Sequence, residues 1–317
     1  MPRKKKNRTL LADYFDEWIE TYKVGAIRDV TLTKYYMTAK SLRKIAPTLT
    51  ISDLDRQAYQ NILNEYALEH EKQTTMDFHH QVKGCIQDLF HDGVIERDPT
   101  YRAIVKGRPS KIKKKQKYLQ ADELKRLVKT LNLGTVINRD WFTLLVAKTG
   151  MRFSEALAIT PSDFDFDNNT LNISKTWNYK DVPAHFEKTK NESSIRTIAI
   201  DWQIVGQFRP LIKDLPPNEP IFVEKDEDGD YKRIFNSTYN NWLAQKCIKA
   251  GVTIISFHGL RHTHASVLLS AGVTIHSISE RLGHSNVTTT QETYTHIINE
   301  LAQKDNQVMI GILTTIA

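Results

Sequence analysis

The chain has 317 residues, enough for one large or two medium domains, and its 40% hydrophobic and 26% charged content suits a folded globular protein. No stretch approaches the roughly 18 consecutive apolar residues of a membrane span. The basic start MPRKKKNRTLLADYFDEW has its apolar part broken by Asp13, Asp16 and Glu17, which argues against a secretory signal and for a cytoplasmic protein without a membrane partner.

The net charge of +7 is unevenly spread. Residues 1–117 hold 23 Lys and Arg against 15 Asp and Glu, whereas the remainder holds 21 against 22. Two clusters carry the excess: PRKKKNR with Lys4, Lys5 and Lys6, and RAIVKGRPSKIKKKQK with Lys111, Lys113, Lys114, Lys115 and Lys117. Phosphates attract lysine without demanding geometry, so these lysines are the candidate contacts to a polyanion. Cys85 and Cys247 are too few and too far apart for a disulfide framework or a zinc cluster.

In chain order, LADYFDEWIETYK puts Leu11, Tyr14, Phe15, Trp18, Ile19 and Tyr22 at helical spacing. TLTKYYMTAKSLRKIA follows with Thr31 as a candidate cap, then DRQAYQNILNEYALEH behind Asp53 or Asp55, then TTMDFHHQVKGCIQDLFHDG stopped by Gly93. Four such helices make a small bundle over residues 9–101, after a basic tail at 1–8. The aperiodic, lysine-rich stretch 102–117, with Gly107 and Pro109, reads as a basic linker.

The second segment opens with a helix after Gln120 and continues with an apolar helix ending at Thr149–Gly150 and a short helix beyond Arg152. TLNIS is a strand after the turn signal Asp167-Asn168-Asn169. WNYKDVPAHFEKTKNESSIRTIAI reads as a strand, a loop and a returning strand with Ile195, Thr197 and Ala199 alternating. Helices return from Trp202. The expected class is mainly α with a small antiparallel β-sheet, α+β, in two domains.

FHGLRHTHAS concentrates the chemistry. His258, Arg261 and His262 lie at i, i+3 and i+4, on one helical face. Two histidines at i and i+4 invite a metal reading, but no glutamate follows the H-E-x-x-H pattern, and Arg261 beside them would repel a dication; no metal is expected. A guanidinium fork beside an imidazole suits an oxyanion, phosphate above all.

Three further motifs, TGMRFSEAL with Arg152, FEKTKNESSIRTI with Lys188 and Lys190, and LGHSNVTTTQETYTH with His284 and Tyr294, complete the order Arg, Lys, His-x-x-Arg, Leu-Gly-His, Tyr. In that order the segment 118–300 resembles the catalytic domain of the tyrosine recombinase (phage integrase) family, and 9–101 is similar to its helical, SAM-like core-binding domain. Gly259, where an aspartate is common, and Phe153, in place of a smaller aliphatic, depart from the pattern outside the catalytic positions. The resemblance implies a C-shaped clamp on double-stranded DNA and a site-specific recombinase that cuts and rejoins DNA through a 3′-phosphotyrosyl link. It implies no cofactor, metal or ATP. It gives Tyr294 as nucleophile, Arg152 and Arg261 as phosphate clamp, His258 as acid/base, Lys188 (or Lys190) as acid to the leaving 5′-oxygen, and His284 as a donor to phosphate. Glu155 would orient an arginine from behind, and His262 and His264, without a catalytic counterpart in the pattern, would support the site or touch the DNA backbone.

It further implies a monomer that forms a homotetramer on core recombination sites, accessory proteins that bend DNA or set direction, and a tail, 301–317, packing on a neighbouring subunit. The core-binding pattern begins by about Leu10. Use of core sites alone, PRKKKNR as a remnant contact, and a truncated chain all stay open. Two rival functions are a type IB topoisomerase, with similar residues, and a non-catalytic DNA-binding regulator on the same fold.

Overall fold

The computed structural model describes residues 8–109, 118–189, 191–288, 290, 291, 293–295, 309, 310, 313 and 314. The chain divides into two compact units, 1–114 and 115–317.

The first unit contains helices α1 (Leu11–Tyr22), α2 (Asp29–Ile45), α3 (Arg56–Glu69) and α4 (Lys72–His91). The apolar stripe of α1 buries Phe15, Trp18 and Ile19 against Leu42 of α2, Tyr59 and Leu63 of α3, and Phe78, Val82 and Ile86 of α4. Asp55 caps α3 by accepting from the Ala58 amide at 2.7 Å. Thr31 is no cap, because α2 begins two residues earlier, at Asp29. Part of the stretch expected as linker is bound to this bundle. The Ile104 amide donates to Gln60 Oε1 at 2.9 Å, Gln60 Nε2 donates back to the Ile104 carbonyl at 2.8 Å, and the Arg108 amide donates to the His70 carbonyl. A Cβ on Gly107 would stand 2.1 Å from the Lys72 amide, so only glycine lets the backbone approach this closely. Lys4, Lys5, Lys6, Lys111, Lys113, Lys114, Lys115 and Lys117 lie outside the described residues.

The second unit holds α5 (Ala121–Lys129), α6 (Arg139–Thr149), α7 (Phe153–Leu157), α8 (Trp202–Ile212), α9 (Asn236–Ala250), α10 (Phe257–Ser270) and α11 (Ile275–Leu282). Its strands are β1 (Phe164–Asp165), β2 (Thr170–Ile173), β3 (Lys175–Asn178), β4 (His185–Lys188) and β5 (Arg196–Ala199). α6 is buried nearly all round, and Phe142 on it meets Phe153, Phe222, Tyr239 and Phe257 edge-on, centroids 5.1–5.4 Å apart.

The strands form two antiparallel sheets, β1-β2-β5 and β3-β4, where one had been expected. Side-chain pairing explains the split. Trp177 stands opposite Phe186 with ring centroids 4.9 Å apart, which closes β3 on β4 as a hairpin. β5 instead returns to β2, placing Ile198 opposite Leu171, both buried. Its inward face is therefore Ile198, and Ile195 of the expected alternation is exposed. The β1–β2 turn follows the Asp-Asn-Asn signal: Asp165 accepts from the Asp167 and Asn168 amides, and Asn169 takes a φ of 54°.

Candidate active site

The site is assembled where α6, α7, α10, β5 and the end of α11 meet. Asn138 caps α6 by accepting from the Asp140 and Trp141 amides. The helix ends at Gly150, whose φ of 69° suits glycine, and a Cβ there would lie 2.7 Å from the His264 ring. This sharp exit aims the next residues, Met151 into the core and Arg152 towards α11.

A helix leaves its last carbonyls without intrahelical partners. At the end of α11 three consecutive carbonyls each receive a different arginine. Arg196 Nε donates to the Arg281 carbonyl at 2.7 Å, Arg261 Nη2 to that of Leu282 at 2.7 Å, and Arg152 Nη2 to that of Gly283 at 3.1 Å. The partial negative charge at a helix carboxyl end favours this arrangement. Arg261, 3% exposed, also donates through Nη1 to the Gly150 carbonyl at 2.8 Å, so it ties α6 to α11. Burial first, and then repulsion by Arg152, lowers Arg261 to about 9, still charged at neutral pH.

Glu155, 1% exposed, is the carboxylate these guanidiniums share. It accepts from the Arg152 amide at 2.9 Å, Arg152 Nη1 at 2.6 Å and Arg196 Nη2 at 2.9 Å. Burial alone would raise its pKa; Arg196 and then Arg152 outweigh it and hold the carboxyl at about 2. One carboxylate against Arg152, Arg196 and Arg261 leaves the cluster positive, which suits a phosphate. Arg152 keeps 37% of its side chain exposed and so remains open to a ligand, whereas Arg196, at 7%, is a buried strut.

His284 follows directly. Its Nδ1 lies 2.7 Å from Thr290 Oγ1. Burial, Arg261 and Arg152, in that order, lower it to about 4, so it is neutral at assay pH. Tyr294, 2% exposed, has its ring among Ala265, Leu269, Ile278 and Leu282, and its hydroxyl 2.8 Å from His262 Nδ1. Burial raises the phenol's pKa, and Arg261 opposes it. His258 is exposed, its ring edge-on to His262 at 4.5 Å.

The structure thus gathers Arg152, Arg261 and Glu155 at the end of α11, sets His284 next in the chain within reach of the arginines' charge, and joins His262 to Tyr294. Lys188 is exposed at the end of β4, opposite Lys175, and its side chain takes no part in that network; Lys190 lies outside the described residues. His262, expected to act from behind, touches the Tyr294 hydroxyl itself. Sequence reasoning missed Arg196, whose one signal is a lone arginine in the apolar run SSIRTIAI. His264, expected to support the site or touch the DNA backbone, is buried behind it. That ring bonds the Ala147 carbonyl through Nδ1 at 2.9 Å and accepts from Arg281 Nε through Nε2 at 3.0 Å, with its pKa lowered to about 3, chiefly by burial.

The phage integrase family model matches residues 117–300, which is more than half of the chain and contains every one of these site residues. The chain belongs to the phage integrase family. A tyrosine recombinase XerC-like protein of Caldanaerobacter subterraneus subsp. tengcongensis is 26% identical over 290 residues, 81% of this chain and 70% of that protein. In fold, the chain is similar to the Tn1549 transposon integrase in complex with transposon right end DNA (TM-score 0.75, 16% identity, 95% of this chain and 100% of that one). It is also similar to a lambda integrase tetramer bound to a Holliday junction (TM-score 0.61, 16% identity, 91% and 84%). This member of the phage integrase family is therefore a tyrosine recombinase, a DNA breaking-and-rejoining enzyme, and its relatives favour that reading over a topoisomerase or a non-catalytic regulator. Among the described residues no helix is long and apolar enough to cross a membrane.

Proposed function

We propose that the protein recombines paired core sites on double-stranded DNA to integrate or excise a mobile element. The arginine array on the carboxyl end of α11 carries this reading. Arg152 and Arg261 would neutralise the nonbridging oxygens as the pentavalent phosphorus forms, preorganised because backbone carbonyls already hold them. Glu155 would fix Arg152 through its two contacts. Neutral His284, accepting the Thr290 hydroxyl on Nδ1, would carry its proton on Nε2 and donate it to phosphate.

Tyr294 attacks the phosphorus, forming the 3′-phosphotyrosyl link and expelling the 5′-oxygen. Lys188 protonates that oxygen, and His258, at the exposed mouth, serves acid/base exchange. The covalent link conserves the bond energy, so rejoining needs no ATP. The basic tail 1–8 and the lysines of 110–117 supply phosphate contacts without sequence preference. The protein is a monomer when free and a tetramer on paired sites, with accessory proteins bending DNA or setting direction.

Two linear duplexes carrying the DNA that flanks the gene, mixed with the protein, test this reading. Exchange of arms between them is expected. Relaxation of any supercoiled plasmid without arm exchange would turn the assignment to a topoisomerase.

A further inference from the structure

We propose that Arg196 is the residue that positions Lys188, by fastening the turn between β4 and β5 to the arginine array. The inference deepens the reading above and rests on Lys188 being the acid to the leaving 5′-oxygen.

Lys188 ends β4 and Arg196 opens β5, yet the two strands belong to different sheets. β4 is laddered to β3 and β5 to β2, so the lysine's place relative to the clamp depends on what anchors its hairpin. On the β3 side, Lys175 stands opposite Lys188 and is drawn to Asp163 at 2.6 Å and to Thr160. Like charges directly opposite repel, and this ion pair removes Lys175 from the contest, leaving Lys188 as the exposed amine of the pair.

On the β4 side the anchor is Arg196, and each of its three nitrogens is used. Nη1 donates to the Ser194 carbonyl at 2.8 Å, which closes the turn on itself. Nε donates to the Arg281 carbonyl at 2.7 Å and Nη2 to Glu155 at 2.9 Å, which bind the closed turn to α11 and to α7. Ser194 is buried at 2% exposure, and a Cβ on Gly283 would stand 3.0 Å from the Ser193 carbonyl and 3.1 Å from the Ser194 Cα. The turn therefore lies flush on the helix end that also holds Arg152 and Arg261. A proton donor must come within about 2.6–3.2 Å of the leaving oxygen, and a misplacement of about 1 Å can cost 10²-fold. Arg152 does not depend on Arg196 in the same way. It keeps Glu155 through its own amide and Nη1, and the Gly283 carbonyl through Nη2. Loosening Arg196 therefore falls on the lysine before it falls on the clamp.

The test uses the full chain on nicked duplexes from the DNA flanking the gene, which trap the covalent adduct. Arg196→Lys keeps a charge for Glu155, but one ammonium cannot span the places of three guanidinium nitrogens. A second variant carries two glycines inserted after the exposed Asn191, which lengthens the turn and leaves Arg196 and its partners in place. Both are expected to form the adduct at least about tenfold more slowly than the wild type on an ordinary phosphodiester. On a 5′-bridging phosphorothiolate, whose sulfur leaves without a proton, both should return to within about threefold of the wild type. Lys188→Ala should behave alike, whereas Arg152→Lys, which damages the clamp, should stay slow on both substrates. Either variant equally slow on sulfur and oxygen, or an insertion variant at the wild-type rate on oxygen, would overturn the proposal. If Arg196→Lys fails to fold, as read by its urea melt, the insertion variant decides alone. Lys188→Ala separates the two levels. If sulfur does not restore it, the acid itself is misassigned and the inference goes with it; if sulfur restores it but not the other two, only the positioning role is lost.

Discussion

Glu155 shows how a buried carboxylate can serve the site by holding two arginines in place. It is buried and satisfied by three donors from Arg152 and Arg196, and removing it would leave two guanidiniums uncompensated. Breaking a buried ion pair by deleting one partner costs about 3–5 kcal/mol. Glu155→Ala is accordingly expected to lose that much stability in urea unfolding and to cleave slowly even where it stays folded. The pH dependence has a definite sign. A carboxyl held at about 2 contributes its full stability above the ordinary glutamate range and loses it as pH falls towards 2. Wild-type unfolding should show this loss below about pH 4.5, and Glu155→Ala should lack its share. At this scale the sequence was informative where neighbours in the chain are neighbours in space. Arg152 and Glu155 share a turn, and His258, Arg261 and His262 share a helix face. Arg196 was hidden because its partners lie 41 and 85 residues away. The bond between His262 and Tyr294 was equally hidden, since the hydroxyl comes from 32 residues further on.

Among elements, the end of α11 organises the site, and it does so through backbone. Side-chain patterns can announce a helix and its glycine stop, as at Thr149–Gly150. They cannot announce that three orphan carbonyls will each collect an arginine from a different element. Gly283 makes this possible. Its φ is 68°, and a Cβ there would stand 3.0 Å from both Arg196 Nη1 and the Ser193 carbonyl. Gly283→Ala is expected to cost about 1–3 kcal/mol in thermal unfolding through the left-handed backbone. It should also displace Arg196 and Arg152 enough to slow adduct formation at least about tenfold. Full cleavage activity in that variant would mean that the array is not what positions the clamp. The two-sheet arrangement was missed for a related reason. Period-two alternation identifies a strand but not its partner, and the cross-strand pair of Trp177 with Phe186 decided that β3 closes on β4.

For the whole molecule, a helical unit and a mixed unit were legible from pattern and charge, because the four apolar stripes of α1–α4 and the break at Gly150 are strong local signals. Assembly is an expectation of the resemblance alone. Met309, Ile310 and Leu313 near the end of the chain are exposed, each at 50% or more, and our account has them covered by a neighbouring subunit. Removing residues 302–317 is expected to leave binding to a single site intact and to abolish cooperative assembly on paired sites, as read by gel shift or light scattering. Unchanged assembly would assign the subunit contact elsewhere.

The central claim is that Tyr294, seated beside the arginine array, becomes covalently joined to DNA. Nicked duplexes from the flanking DNA, incubated with the wild type and with Tyr294→Phe in EDTA, measure it directly. The wild type should give a protease-sensitive adduct on a 3′-phosphate and Tyr294→Phe none; an adduct that survives the substitution, or a wild type that needs a metal, would contradict the account.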